Sequence, residues 1–257
     1  MIEQTFSEPL EIIYQDEYMV AINKPAGLLV HKSYLARKET YFAMTMLRDQ
    51  IGQYVYPIHR LDRPTSGVLL FALSSEIARL LSEQFSERGV EKGYLAMVRG
   101  HMHGHDTLDY PLKEELDKIA DKNAQQDKEP QTAITSWKNL LHGEFDAPIG
   151  KYDKARFSLV ALKPKTGRKH QLRRHLAHLR HPIMGDTTHG DGKQNKYFKA
   201  HLGEQRLMLH AAQLNLRHPV TNHVVKLTAA IPDSFACICQ KVGWDKVPQR
   251  PLDHFSV

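Results

Sequence analysis

The stretch His59-Arg60-Leu61-Asp62-Arg63-Pro64-Thr65-Ser66-Gly67 sets one carboxylate between two arginines. Positive charge on both sides favours the ionised form, so Asp62 is the first candidate for a nucleophile or a base at neutral pH. Pro64 disfavours a helical Arg63, and Gly67 can take backbone angles that other residues avoid. The segment therefore reads as a loop entering the apolar run Val68-Leu69-Leu70-Phe71-Ala72-Leu73, predicted as a buried strand. A loop anchored to such a strand holds a reactive group still while leaving it open to substrate. On spacing alone, a surface ion pair capped by a β-turn fits as well.

A second cluster lies a hundred residues further on. Lys163, Lys165, Arg168, Lys169, Arg173, Arg174 and Arg180 bring seven cations into the stretch 163–180, suited to phosphate. Lys163 to Arg168 reads as a turn, and His170 to Leu179 as a helix with Leu172, Leu176 and Leu179 as its buried stripe. Arg173, one position beyond Leu172, can flank that stripe and reach inward. His170, His175, His178 and His181 have helical spacing, but no His-Glu-x-x-His or paired-cysteine pattern accompanies them, so no metal site is expected and the histidines are read as solvated or phosphate-facing. Ser66 lacks the Gly-x-Ser-x-Gly context of a nucleophile and is read as a turn hydroxyl. Phosphate-loop and dinucleotide glycine patterns are missing, so no ATP, NAD or flavin cofactor is expected.

The elements that must position these groups follow from periodicity. Leu10–Tyr14, Met19–Asn23, the run after Asp62, Val90–Gly100, Gln131–Leu141, Arg156–Lys163, Arg206–Leu216 and Val224–Ala229 read as strands. Lys24-Pro25-Ala26-Gly27 breaks the second of them. Helices are predicted over Thr40–Gln50, after a Ser74 or Ser75 cap, over His170–Leu179, and after an Asp233 cap. Strands thus come in adjacent pairs rather than in strict alternation with helices, which predicts an α+β fold with a mixed, mostly antiparallel sheet, in one domain of two closely packed lobes. Residues 113–128 are dense in both signs of charge and read as a solvated insertion.

The 257 residues are 41% hydrophobic and 25% charged, with a net charge of +6, enough apolar material for a core and a balance that suits a polyanionic partner. Only two cysteines occur, Cys237 and Cys239, too close for an ordinary bridge. With no apolar stretch long enough for a bilayer and no basic leader, the expected location is the cytoplasm, without a membrane partner.

His-Arg-Leu-Asp followed by Thr-Ser-Gly resembles the motif of the pseudouridine synthases similar to the ribosomal large-subunit synthase A family. Asp16 to Gly27, Tyr94 and Gly167-Arg168-Lys169-His170-Gln171-Leu172-Arg173-Arg174-His175 extend the likeness over most of the chain. The resemblance implies that Asp62 is the catalytic residue, that Tyr94 stacks under the uracil and helps remove the final proton, and that Arg173 pairs with Asp62, Arg168 being the alternative partner. It also implies that Arg60 fills the stack vacated by a flipped base, with Arg63, Lys165, Arg168, Lys169 and Arg174 as further RNA contacts. Gly93 departs from the basic residue usual before that tyrosine. Arg60 to Gly67 and Glu114 to Lys122 are similar to a tRNA-modifying branch of the family, which implies uridine 65 of the T stem as target. The missing small amino-terminal RNA-binding domain of many ribosomal relatives agrees with tRNA, and a monomer is expected. Whether Asp62 attacks as a nucleophile or starts a glycal route stays open. A ribosomal RNA synthase and a catalytically silent RNA-binding protein are the alternatives.

Overall fold

A computed structural model describes residues 6–32, 39–115, 128–146, 153–203 and 206–255. Among them are ten strands: β1 (Ile12–Gln15), β2 (Met19–Lys24), β3 (Tyr56–Pro57), β4 (Ser66–Ala72), β5 (Glu91–Arg99), β6 (His105–Asp109), β7 (Ile134–Phe145), β8 (Ala155–Pro164), β9 (Leu209–Arg217) and β10 (Val224–Thr228). Five α-helices accompany them: α1 (Ala43–Ile51), α2 (Ser75–Ser86), α3 (Gln171–His178), α4 (Gly192–Leu202) and α5 (Asp233–Lys241). A 3-10 turn, Pro251–Phe255, follows.

All the strands join one sheet in the order β1-β2-β4-β9-β5-β8-β7-β6, with β3 on β4 and β10 on β9. Every pairing is antiparallel except β4 with β9, a parallel contact of only two residue pairs, Ser66 with His210 and Gly67 with Ala211. This seam divides the sheet into a half built from the first 72 residues and a half built from residue 91 onward. The expected mixed, mostly antiparallel α+β architecture is observed.

β4 is buried along its whole length because helices cover both of its faces. Val20, Ile22, Leu69 and Phe71 alternate onto one face and pack with Ala43 and Leu47 of α1. Met19, Ala21, Leu70 and Ala72 take the other face, against Ile77 and Leu81 of α2. The larger core lies over β5 and β8, where Leu172 and Leu176 of α3, Phe198 and Leu202 of α4, and Phe235 and Ile238 of α5 meet the sheet.

Some expectations change in detail. Ser74 does cap α2, accepting from the Ile77 amide at 3.2 Å, whereas α5 is entered from Pro232 and Asp233 is its first helical residue, without a side-chain cap. β3, β6 and α4 were not expected. Most of the 113–128 insertion lies outside the described residues. Its described ends are tied together, Leu112 bridging to Gln131 and Lys128 pairing with Glu114 at 3.0 Å.

Candidate active site

The loop before β4 carries Asp62. Leu61 is buried in the core beneath α1, while Asp62, next along the chain, is half-buried and faces Arg173 of α3. Thr65 N–H closes the turn on the Asp62 carbonyl at 3.0 Å, and Gly27 N–H donates to the Arg63 carbonyl at 2.8 Å. Gly67 makes the seam possible: its φ is +116°, and a Cβ there would lie 2.2 Å from the Ala211 carbonyl oxygen.

A lysine fastens this loop from below. The Lys24 side chain is fully buried, and its ammonium donates to the carbonyls of Pro25 at 2.8 Å, Leu28 at 2.9 Å and Arg63 at 3.2 Å. Burial lowers its pKa to about 7, with repulsion from Arg206 and Arg63 adding to the shift and the charge of Asp62 opposing it. The sequence reading treated Lys24 only as part of a strand break; a lysine directly before a Pro-Ala-Gly turn was the available signal.

The arginines flanking Asp62 in sequence are not its partners. Arg63 pairs with Glu39 at 2.8 Å and donates through Nε to the Gly27 carbonyl, and Arg60 is exposed. The opposite charge comes instead from α3, whose Arg173 donates through Nη1 to Asp62 Oδ2 at 3.3 Å. Arg173 is itself 4% exposed, although it stands in the cationic cluster. Its Nε and Nη2 grip both oxygens of Asp186, at 2.8 Å and 2.7 Å. Burial works against this guanidinium charge, but the hydrogen bonds and charges of Asp186 and Asp62 outweigh it and raise the pKa. Burial likewise pushes the Asp186 carboxyl up, yet Arg173 and the amides of His189 and Thr188 hold it below the usual carboxylate value. Sequence reading missed Asp186 altogether.

Tyr94 enters from β5, across the seam. In the pairing with β9 the register shifts between Gly93 and Tyr94, the extra residue, Ala212, lying on β9, and the Tyr94 side chain packs against both the α1 core and the β5–β8 core. Burial, with the charge of Asp62 adding to it, raises the Tyr94 phenol well above its ordinary pKa, so at neutral pH it is an uncharged ring with an O–H donor. Gly93 has its own reason: a Cβ there would lie 2.8 Å from Leu252 Cγ and 2.9 Å from Pro251 Cγ, so the C-terminal 3-10 turn takes the space of any side chain.

Of the other predicted contacts, Lys165, Arg168 and Lys169 are exposed. Arg168 turns to the Thr132 carbonyl at 3.2 Å, which removes it as partner of Asp62. Lys169 and Arg174 bind the near end of the insertion, at the Glu115 carbonyl (2.8 Å) and the Lys113 carbonyl (2.9 Å). The histidines differ from the expectation. His175 is buried between Thr135 and the Tyr110 carbonyl, on the same face as Leu172 and Leu176; His181 binds the Arg99 carbonyl; His178 stacks on Tyr110.

Only His170, in the left-handed region at the start of α3, adjoins the site, its Nε2 at 3.9 Å from Asp62. With Glu115 and His189 it forms a group whose donor atoms lie within 4.8 Å of one another. Those atoms are spent on each other: His170 and His189 share a hydrogen bond of 2.9 Å, and Glu115 pairs with Arg174 at 3.4 Å. A divalent ion entering there would meet the Arg174 charge.

A family model described as RNA pseudouridylate synthase matches residues 18–178. The chain is 56% identical to "tRNA pseudouridine synthase C" of Vibrio cholerae serotype O1, over 92% of its own length and 97% of the relative's. It is 57% identical to the protein of the same name from Yersinia pestis, over 93% of each. Among solved structures, "Human RNA Pseudouridylate Synthase Domain Containing 1" superposes with a TM-score of 0.70 at 28% identity, covering 92% of this chain and 90% of that one.

Proposed function

We propose that this chain, which belongs to the RNA pseudouridylate synthase family, isomerises uridine to pseudouridine in tRNA, with Asp62 as the catalytic residue. The observation that carries the assignment of Asp62 is the Asp62–Arg173–Asp186 chain of charge, which sets a half-buried carboxylate beside Tyr94 at the seam of the sheet. The reaction breaks the N1–C1′ bond, turns the uracil, joins C5 to C1′ and releases the C5 proton. Its atoms and electrons balance without an outside oxidant or energy donor. A carboxylate that attacks C1′, or removes a ribose proton to open a glycal route, supplies the one anionic group needed.

A uridine inside a helix reaches such a site only by flipping, which costs a few kcal/mol of unstacking. The exposed Arg60 guanidinium is placed in sequence beside Asp62 and replaces the lost base in the stack. Tyr94, a neutral phenol before substrate binds, packs under the extruded uracil and helps remove the final C5 proton. Lys165, Arg168, Lys169 and Arg174 line the approach for backbone phosphates. The likeness to relatives named tRNA pseudouridine synthase C supports a tRNA substrate; uridine 65 of the T stem is the target that the sequence resemblance implies.

Tritium release from tRNA carrying 5-labelled uridine tests the assignment. Asp62→Ala is expected to abolish release while tRNA binding survives. Undiminished release by that variant would remove Asp62 from the mechanism. Mapping of the product then reads the position, and modification of ribosomal RNA instead of tRNA, or of neither, would replace the substrate assignment.

A further inference from the structure

We propose that Arg174, His170 and His189 form a subsite for a backbone phosphate of the substrate RNA, and that the Glu115 carboxylate fills this subsite in the free protein and is displaced when the phosphate enters. The inference rests on the reading of this chain as an enzyme that acts on tRNA at Asp62.

The geometry splits the Glu115 carboxylate between two kinds of partner. Its Oε1 faces Arg174 Nε at 3.4 Å, while its Oε2 faces His170 Nδ1 at 3.4 Å and His189 Nε2 at 3.8 Å. A phosphodiester likewise presents two equivalent non-bridging oxygens, so it can take over the same division, one oxygen to the guanidinium and one to the imidazole pair. The positive charge that turns a divalent cation away from this group suits an anion.

The receiving side chains keep their places without that carboxylate. Arg174 Nη1 donates to the Lys113 carbonyl at 2.9 Å, the two imidazoles share a hydrogen bond of 2.9 Å, and the His189 amide donates to Asp186 Oδ1 at 2.9 Å. Glu115 is held differently. Its side chain is 37% exposed, and its three contacts all exceed the roughly 2.7–2.9 Å of a charge-assisted hydrogen bond. Lys169 Nζ grips the Glu115 carbonyl at 2.8 Å, so the backbone stays in place when the carboxylate swings out.

His170 links the subsite to the reacting centre. Its Nε2 lies 3.9 Å from Asp62 Oδ2, and its other ring nitrogen faces Glu115. One imidazole therefore separates the two carboxylates. A nucleotide seated with its C1′ at Asp62 carries a phosphate on each side of its ribose, and one of them comes to Arg174. Until then the Glu115 charge repels every RNA phosphate that approaches. Only an RNA seated with its target nucleotide at Asp62 recovers that cost, so the carboxylate disfavours non-specific attachment to Lys165, Arg168 and Lys169.

The test measures binding of a fluorescent tRNA assembled from two annealed halves, the synthetic half carrying the target uridine, at fixed ionic strength. Glu115→Gln is expected to bind about fivefold tighter than wild type. Glu114→Gln removes the same charge one residue away, where Glu114 pairs with Lys128 at 3.0 Å, and is expected to stay within about twofold. The tRNA is then remade with uncharged methylphosphonate linkages on both sides of the target uridine, and on this RNA the advantage of Glu115→Gln is expected to vanish.

An equal gain in Glu114→Gln would reduce the effect to overall charge and overturn the subsite. A gain that persists on the methylphosphonate RNA overturns it as well, and so does the absence of any gain. Should the wild-type protein bind the tRNA yet release no tritium from its 5-labelled uridine, the reading of the chain as an enzyme fails instead, while these affinities still decide the subsite.

Discussion

Removing Arg173 should cost the protein far more than removing Arg174, although the two are neighbours on one helix. Arg173→Met keeps the aliphatic volume but strips the charge from a site where Asp186 stays 1% exposed. Breaking a buried pair from one side typically costs about 3–5 kcal/mol. Asp186 retains its two amide donors, so the lower end, about 3 kcal/mol, is expected. For a chain of this size each kcal/mol moves the midpoint by roughly 2–4 °C, so Tm should fall by about 6–12 °C. Arg174 is less buried and holds Glu115 at 3.4 Å and the Lys113 carbonyl at 2.9 Å, a pairing worth at most about 1 kcal/mol. The assay is denaturant unfolding of Arg173→Met, Arg174→Ala, Asp186→Asn and the double variant Arg173→Met/Asp186→Asn at neutral pH. The double variant should be less destabilised than the sum of its singles by more than about 1 kcal/mol, since the second change removes a charge the first has orphaned. Equal effects of Arg173→Met and Arg174→Ala, or strict additivity in the double variant, would refute the buried pair.

Other perturbations test the frame around it. Gly67→Ala should destabilise by about 2–4 kcal/mol, because it drives a Cβ into the Ala211 carbonyl and strains a backbone at +116°; an unfolding midpoint within error of wild type would show that the seam yields. His210 is fully buried, bonded to Ser66 Oγ at 2.9 Å and to the Ala229 carbonyl at 3.1 Å, and burial lowers its pKa to about 4. The unfolded imidazole binds its proton near pH 6.5, so His210 contributes stability that is fully present above that pH and is lost as pH falls toward 4. His210→Asn should flatten the pH dependence of unfolding between those limits, removing on the order of 1 kcal/mol per pH unit; an unchanged slope would mean that the imidazole is already charged in the folded protein.

All the strands but β3 and β6, and the two chemical segments, were legible because each is local. An apolar run after a Pro-Thr-Ser-Gly turn predicts β4, and Leu172, Leu176 and Leu179 predict which side of α3 turns inward, carrying Arg173 to its edge. What escaped is tertiary. Arg60 and Arg63 were expected to frame Asp62, but Glu39 and the Gly27 carbonyl claim Arg63, and Arg60 is exposed. His175 was read as solvated, yet it falls on the Leu172–Leu176 face and is buried with it. α4 went unread because Asn195 holds one of its three buried positions, leaving only Phe198 and Leu202 as an apolar signal. Asp186 follows a run with no helical or strand period, and its meaning exists only through Arg173, thirteen positions earlier.

The two-pair contact between β4 and β9 has a consequence for how the molecule comes to life. The aspartate rides on the opening third of the polypeptide, while the guanidinium, its buried holder and the tyrosine all ride on the remainder, joined to it through α2. A break at Arg88-Gly89, just past that helix, would leave two fragments, each inert by itself. Catalysis would then switch on only when the fragments find each other, which makes this enzyme's turnover a direct reporter of its own assembly.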